Sequence, residues 1–337
     1  MILVTGGTGL VGSHLLLELT GKYDRVRAIH RPMSDTQGVL SIFSIYLDNP
    51  EERFGKIEWV HGDITDIDSL LNIMDGIDYV YHAAAEVSFQ SGSVSALLYN
   101  NAGGTANVVN ACLEKNIRKL CYVSSTAALG SAPPGTDITE DLQRTNSRSR
   151  SMYSISKFQS EMEVWRGIAE GLNAVIVNPS IIIGPGDWNR SSSYLFTVVW
   201  NGMKFYTLGV TGYVDIRDVI HSMTHLMESD QAGERFIVSS ENLSYQEVLE
   251  MIAKALVKKP PGILATPFLI SIAWRADWLK SKLTGKARSI TRDAAGSSRR
   301  VACFSNRKIT EATGIEFISV SQSIKKTADL FLAAHQK

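Results

Sequence analysis

The sequence predicts an α/β fold: a doubly wound parallel sheet joined to a smaller, mainly helical C-terminal lobe. Three observations carry this. Short β-branched runs alternate with helical patterns up to Pro179, as they do in repeated βαβ units. Several of these runs are apolar throughout, as strands covered on both faces must be. The chain also opens on strand, glycine-rich turn and helix, "ILVTGGTGLVGSHLLLEL".

Taken in order, "ILVT" (2–5), "RVRAI" (25–29), "IEWVH" (57–61), "YVYHA" (79–83), "KLCYVS" (119–124) and "NAVIV" (173–177) read as strands. Residues 9–19 and 93–115 carry helical periodicity between them. Beyond Pro179 the rhythm changes. Residues 184–194 are loop-like, 213–227 read as a strand leading into a helix, and 235–239 as another strand. Residues 244–256 open on a capping box, Ser244 with Glu247 three positions on. The division that follows is a sheet domain of residues 1–178 plus 213–240, and a second lobe of 179–212 and 241–337. Residues 263–274 are apolar but broken by Pro267. They are expected to form a buried helix, with an interfacial anchor as the alternative.

At 337 residues, 44% hydrophobic and 20% charged, the chain has ample material for a core. Thirty-four Lys and Arg balance 34 Asp and Glu, so the bulk charge carries no nucleic-acid or general membrane signature. Cys112, Cys121 and Cys303 are odd in number and lack metal-ligand spacing. They read as reduced thiols of a cytoplasmic protein, with no metal site. No apolar run reaches the roughly 18–20 residues of a membrane span, and the N-terminus lacks the basic region of a signal peptide.

The glycine turn places Gly6, Gly9 and Gly12 three apart, with Thr8, Leu10 and Val11 among them. Such a turn lets backbone approach a ligand closely, and the helix N-terminus behind it offers free N–H groups to a pyrophosphate. At the end of the second strand, an Asp or Glu would accept from the adenosine ribose. His30 and Arg31 stand there instead, and a guanidinium suits a 2′-phosphate. The expected cofactor is NADP, with NAD as the alternative.

Tyr153 and Lys157 lie four apart at the head of a helix, where such side chains are neighbours. Lys157 is expected to lower the pKa of Tyr153 and to reach the nicotinamide ribose. A phenol so placed can give a proton to a carbonyl oxygen or take one from an alcohol. "LCYVSSTAALG" (120–130) ends a strand at the ligand-binding edge and carries Ser124, Ser125 and Thr126. One of these hydroxyls could serve the same substrate oxygen; Ser125 is the first choice and Thr126 the second.

Together "TGGTGLVG", "GDITD" (62–66), "YHAAA" (81–85), "NNAGGTANV" (100–108), "VSSTAALG", "YSISK", "NPSIIIGPGD" (178–187) and "VDIRDV" (214–219) resemble the extended short-chain dehydrogenase/reductases of the NAD(P)-dependent epimerase/dehydratase superfamily. The resemblance implies a Rossmann domain and a role for each matching residue. Asp63 would contact the adenine amine and Ile64 lie beside its ring. Ala83, Ala84 and Ala85 would line the cofactor, with Pro179 and Ser180 near its carboxamide. Asn101 would organise active-site waters. Ser125, Tyr153 and Lys157 would form the catalytic trio. A homodimer through helices 93–115 and 153–170 is also implied.

Two departures bear on the branch. Epimerase-like members usually read R-x-x-N-x-Y-G-P, with an Arg before the later "V-D-V" strand. Here Asn178 and Ile181 replace the Arg and the Asn, and no base lies between Lys204 and Arg217. In this the chain resembles dihydroflavonol 4-reductases, which implies NADP-dependent reduction of a ketone or aldehyde, on a small-molecule carbonyl or alcohol substrate. The alternatives are an NAD-dependent sugar-nucleotide epimerase/dehydratase, a sterol-type dehydrogenase and, from another class, a dinucleotide-sensing regulator. Arg144, Arg148 and Arg150 precede the catalytic Tyr, and residues 275–308 hold ten Lys and Arg against two Asp. Both read as solvated basic segments, with an anionic group as the alternative.

Overall fold

The computed structural model describes residues 1–86, 94–133, 135–142, 151–266, 269, 275 and 300–335. Seven parallel strands form the main sheet: β1 (Ile2–Thr5), β2 (Val26–His30), β3 (Ile57–His61), β4 (Tyr79–His82), β5 (Lys119–Val123), β6 (Ala174–Pro179) and β10 (Glu234–Val238). They lie in the order β10-β6-β5-β4-β1-β2-β3. Each begins and ends within two residues of its sequence expectation. The order reverses between β1 and β4, and that reversal opens the crevice in which doubly wound folds bind ligands.

The two-faced burial of these strands explains their apolar runs. Ile2 and Val4 of β1, with Val175 and Val177 of β6, point to one face. There they meet α1 (Leu10–Lys22), α2 (Thr36–Tyr46) and α9 (Ile216–Glu228) through Leu15, Leu16, Phe43, Val219 and Met223. Leu3 of β1, with Ala174 and Ile176 of β6, point to the other. They meet α4 (Ile67–Ile73), α6 (Gly104–Glu114) and α7 (Met152–Ala169) through Leu70, Val108 and Val164. The short helices α3 (Pro50–Phe54) and α5 (Val94–Leu98) complete this part of the chain.

The second lobe is built on a three-stranded sheet of β7 (Ile181–Ile183), β9 (Val210–Asp215) and β11 (Glu241–Ser244). Its core joins α8 (Tyr194–Trp200), α10 (Tyr245–Ala255) and α12 (Val320–His335); α11 (Arg307–Thr313) packs instead against the main sheet. The capping box of α10 is present, Ser244 accepting from Glu247 N–H while the Glu247 carboxylate accepts from Ser244 N–H. β9 lies in the small sheet while α9 and β10 return to the large one, so the chain passes between lobes more than once.

Two expectations are corrected. Residues 263–274 do not start as a helix: Ile263–Leu264 form β12, paired in parallel with β8 (Phe205–Tyr206). An extended partner strand, not Pro267, decides the conformation there; 267–268 and 270–274 lie outside the described residues. The helix of 93–115 is also not uniform. Between α5 and α6 a π-helical turn spans Tyr99–Gly103. Among the described residues no helix is long and apolar enough to cross a membrane.

Phe331 is the centre of the second lobe. Its ring lies 5.0 Å from Trp188, 5.8 Å from Trp200 and 6.4 Å from Phe196, with no exposed area. Phe331→Ala is expected to cost about 3–5 kcal/mol of stability, read as a lowered midpoint in an equilibrium urea titration.

Candidate active site

The crevice at the β1–β4 reversal is shaped first by backbone. Gly6 has φ +73°, and a Cβ there would sit 2.5 Å from the Ala84 nitrogen. A Cβ on Gly12 would sit 2.1 Å from the Gly6 carbonyl oxygen. Neither position admits another residue without moving backbone. Gly9 caps α1 with no side-chain bond, and the first turn of α1 has no acidic residue. Its N–H groups therefore face the crevice without a competing carboxylate, which fits a dinucleotide pyrophosphate.

All the sequence-selected residues line one continuous cavity. Gly6, Thr8, Gly9, Leu10, Val11, Gly12, Arg31, Asp63 and Ile64 lie on one side, with Ala83, Ala84, Ala85, Asn101, Ser125, Tyr153, Lys157, Pro179 and Ser180 completing it. Arg31 is exposed and pairs with no carboxylate among the described residues, and its N–H bonds to Ser34 Oγ at 3.1 Å. The His30 ring lies 4.2 Å from that of His61, its partner on β3, at a tilt of 42°. One oxygen of Asp63 accepts from both the N–H and the hydroxyl of Thr65, which fixes the carboxylate at the cavity wall.

Helix α7 starts with Ser151 accepting from Ser154 N–H, and delivers Tyr153 and Lys157 to the cavity floor. Ser125 caps the short 3-10 turn Thr126–Ala128 and accepts from Ala127 N–H at 3.1 Å. It lines the same cavity as Tyr153, and its hydroxyl acts to lower the pKa of that phenol. Ser124 turns away, its hydroxyl donating to the buried Glu161 at 2.6 Å. Thr126 lines the cavity beside them. Of the three hydroxyls, Ser125 is thus the one that acts on the pKa of the phenol.

The electrostatics differ from the sequence expectation. Burial holds the Tyr153 phenol above its ordinary pKa, and the Ser125 bond is what opposes it. Lys157 was expected to lower that pKa, but its ammonium donates to the Val123 carbonyl at 2.9 Å and lies 3.5 Å from the Tyr122 hydroxyl. Burial draws Lys157 down to about 8, with the Glu161 charge opposing. His82 is held neutral, at about 3, by burial and then by the Lys157 charge, and it bonds Thr5 and Thr105. Lys157 therefore sits in a pocket of neutral groups and carbonyls.

Asn101 stands in the π-turn and is 2% exposed. Its amide accepts from Glu86 N–H at 2.7 Å and donates to the Glu86 carbonyl and to Ser156 Oγ. It thus fixes the chain just after Ala85, and its donor groups are taken up by protein. The π-turn, a feature often found at functional sites, is what aims the amide there.

Sequence reasoning missed several lining residues. Arg300 enters beside β9 because Val301 bridges Val210, with Val210 N–H bonded to the Arg300 carbonyl. Arg190 lines the same side and pairs with Asp187 at 3.5 Å. The absence of a base near "VDI" holds along the chain but not in space. Arg144, Arg148 and Arg150 and most of 275–308 lie outside the described residues.

A sheet of this order, a glycine turn at its reversal, and Ser125, Tyr153 and Lys157 on one cavity define an enzyme of the NAD(P)-dependent oxidoreductase or epimerase/dehydratase type. The chain belongs to the NAD dependent epimerase/dehydratase family, whose model matches residues 2–239. It is 27% identical over 337 residues to a Synechocystis protein provisionally named dihydroflavonol 4-reductase, covering 97% of this chain and 93% of that one. The crystal structure of gox2253 superposes with a TM-score of 0.82 at 27% identity, over 99% of this chain and 98% of the other. The dTDP-glucose 4,6-dehydratase DesIV of Streptomyces venezuelae, solved with NAD, gives 0.78 at 18% identity over 99% and 98%; at that identity the likeness concerns the fold.

Gly12→Ala is expected to weaken dinucleotide binding at least about tenfold, by forcing the Gly6 carbonyl out of the turn. Quenching of intrinsic fluorescence on titration with NADPH and NADH measures this. Unchanged affinity would detach the glycine turn from the cofactor.

Proposed function

We propose that the protein is an NADP-dependent oxidoreductase that reduces a ketone or aldehyde, with Tyr153 as proton donor and Ser125 as the hydroxyl that orients the substrate oxygen. The observation that carries this is that Ser125 and Tyr153 line the same cavity, with the Lys157 ammonium buried one helical turn on from Tyr153. A bound nicotinamide dinucleotide supplies the hydride. A carbonyl oxygen entering the site accepts from both the Tyr153 and the Ser125 hydroxyls. The burial that raises the phenol's pKa keeps it protonated at neutral pH, as a proton donor must be. Lys157, one helical turn on, adds a positive charge to the site. Running backwards, the same groups take a proton from an alcohol. The unpaired Arg31 supports the choice of NADP, and the Synechocystis relative supports the reductase reading.

A second reading is an NAD-dependent sugar-nucleotide epimerase or dehydratase. The family match and the DesIV structure with NAD favour it, and so do Arg190 and Arg300, two guanidinium groups on the substrate side that can hold a diphosphate. It uses the same Tyr153 chemistry at a sugar carbon. For either reading we propose a homodimer through α5, α6 and α7, where Tyr99 and Met162 lie exposed.

Tyr153→Phe is expected to leave cofactor affinity within about twofold and to cut turnover by about 10²–10⁴-fold; retained turnover rejects the mechanism. Side-by-side titration with NADPH and NADH tests the branch. Tighter NADPH binding that falls at least about tenfold in Arg31→Ala supports the reductase. Tightly retained NAD, with loss of UDP-sugar binding in Arg300→Ala, selects the second reading.

A further inference from the structure

The second lobe carries a row of exposed apolar side chains away from the catalytic cavity. Phe205 and Ile263 are direct partners in the parallel ribbon of β8 and β12. Side chains in register share one face of a ribbon, and these two are each 45% exposed. The next pair, Tyr206 and Leu264, is half-buried, and Tyr206 packs on the lobe's core. The ribbon thus turns one pair inward and one large apolar pair outward. Leu208, also exposed, follows three residues after Phe205.

The end of α10 adds Val257, in a left-handed conformation at φ +54°. Its N–H bonds the Lys254 carbonyl and that of Lys258 bonds the Ala253 carbonyl, which closes the helix. Glycine normally fills this position, and a β-branched residue there is a backbone outlier. Packing does not offset that strain, because Val257 is 87% exposed. A strained side chain held out in solvent points to a role outside the fold. The helix end and the ribbon lie at one end of the lobe. Lys258 places its ammonium 3.7 Å from the Trp200 ring. Four residues after Trp200, the Lys204 carbonyl accepts from Ile263 N–H at 3.0 Å.

The charge at this end has one sign. Residues 191–214 and 251–266 contain Lys204, Lys254, Lys258 and Lys259, and no Asp or Glu. Lys204, Lys254 and Lys259 are exposed. We propose that this end of the lobe docks peripherally on an anionic lipid bilayer. Phe205, Leu208, Val257 and Ile263 enter the headgroup layer, and the lysines meet the lipid phosphates. Apolar side chains ringed by lysine are what an anionic membrane surface retains. Protein interfaces, by contrast, are depleted in lysine. None of these residues lines the catalytic cavity, so vesicle binding and Tyr153 chemistry fail separately.

Co-sedimentation of the full chain with lipid vesicles tests this. Binding to phosphatidylcholine vesicles with about one third phosphatidylglycerol is expected to be at least about tenfold tighter than to phosphatidylcholine alone. The double change Phe205→Ser with Ile263→Ser is expected to weaken that binding at least about tenfold. Val257→Gly is expected to weaken it too, while raising the midpoint of thermal unfolding, because glycine relieves the left-handed strain. A more stable variant that binds less separates docking from folding. Weaker binding in both variants supports the proposal. No binding by the unaltered protein, no preference for the anionic vesicles, or unchanged binding in either variant overturns it. Self-association that the double change abolishes, without vesicle binding, gives the face to a second copy and overturns it as well. If the double variant does not fold, Val257→Gly alone decides.

Discussion

The contact between the start of α1 and the turn before it is the constraint on which the rest of the site depends. Gly12 lets the helix close onto the Gly6 carbonyl, and Gly6 in turn lies against the backbone after β4. These two approaches join β1, α1 and the end of β4 at one point. That point is the reversal of strand order, where the sheet opens. A methyl group at either glycine would separate elements that the sheet registers through Val4 with Tyr81 and Thr5 with His82. The same geometry that admits a pyrophosphate therefore sets the crevice in which Tyr153 and Ser125 stand.

Burial, more than pairing, sets the chemistry inside that crevice. Tyr153, Lys157 and His82 are each pushed toward their neutral forms by desolvation first. The consequences differ by group. A phenol kept protonated is a competent acid, a histidine kept neutral is a hydrogen-bonding spacer, and a lysine drawn down toward neutrality needs a nearby negative charge to stay useful. Glu161, one turn further along the same helix, opposes the effect of burial on Lys157. It is tolerated there because Ser124, Asn178, Trp165 and Arg235 all donate to it. An unpaired buried charge at that position would be strongly destabilising.

The two lobes share the site unequally. The main sheet brings the glycine turn, His30 and Arg31, and the catalytic helix. The second lobe brings Thr211, Tyr245, Arg190 and Arg300 to the other wall. Its own core, with Phe331 at the centre, is independent of the sheet's two faces.

The fold was legible in the sequence because strands buried on both faces must be apolar at nearly every position, and β6 and β5 are. The glycine turn and the Tyr153–Lys157 spacing were legible for a similar reason: local backbone geometry fixes them within a few residues. What depended on distant segments was not. β12 forms because β8 lies beside it, and Arg300 reaches the site because Val301 bridges Val210. Ser125 was the first choice from the sequence, and the structure adds that the Ser124 hydroxyl is taken up by Glu161. Glu161 itself carried a local signal, since it continues the four-residue spacing of Tyr153 and Lys157, but its partner Arg235 came from another strand. The sequence by itself determined the sheet, the turn and the Tyr153–Lys157 spacing, which local periodicity and backbone sterics dictate. Only the tertiary structure decided that Ser124 turns to Glu161, that Lys157 meets the Val123 carbonyl and that Arg190 and Arg300 line the cavity, because desolvation and ion pairing depend on groups far apart in the chain.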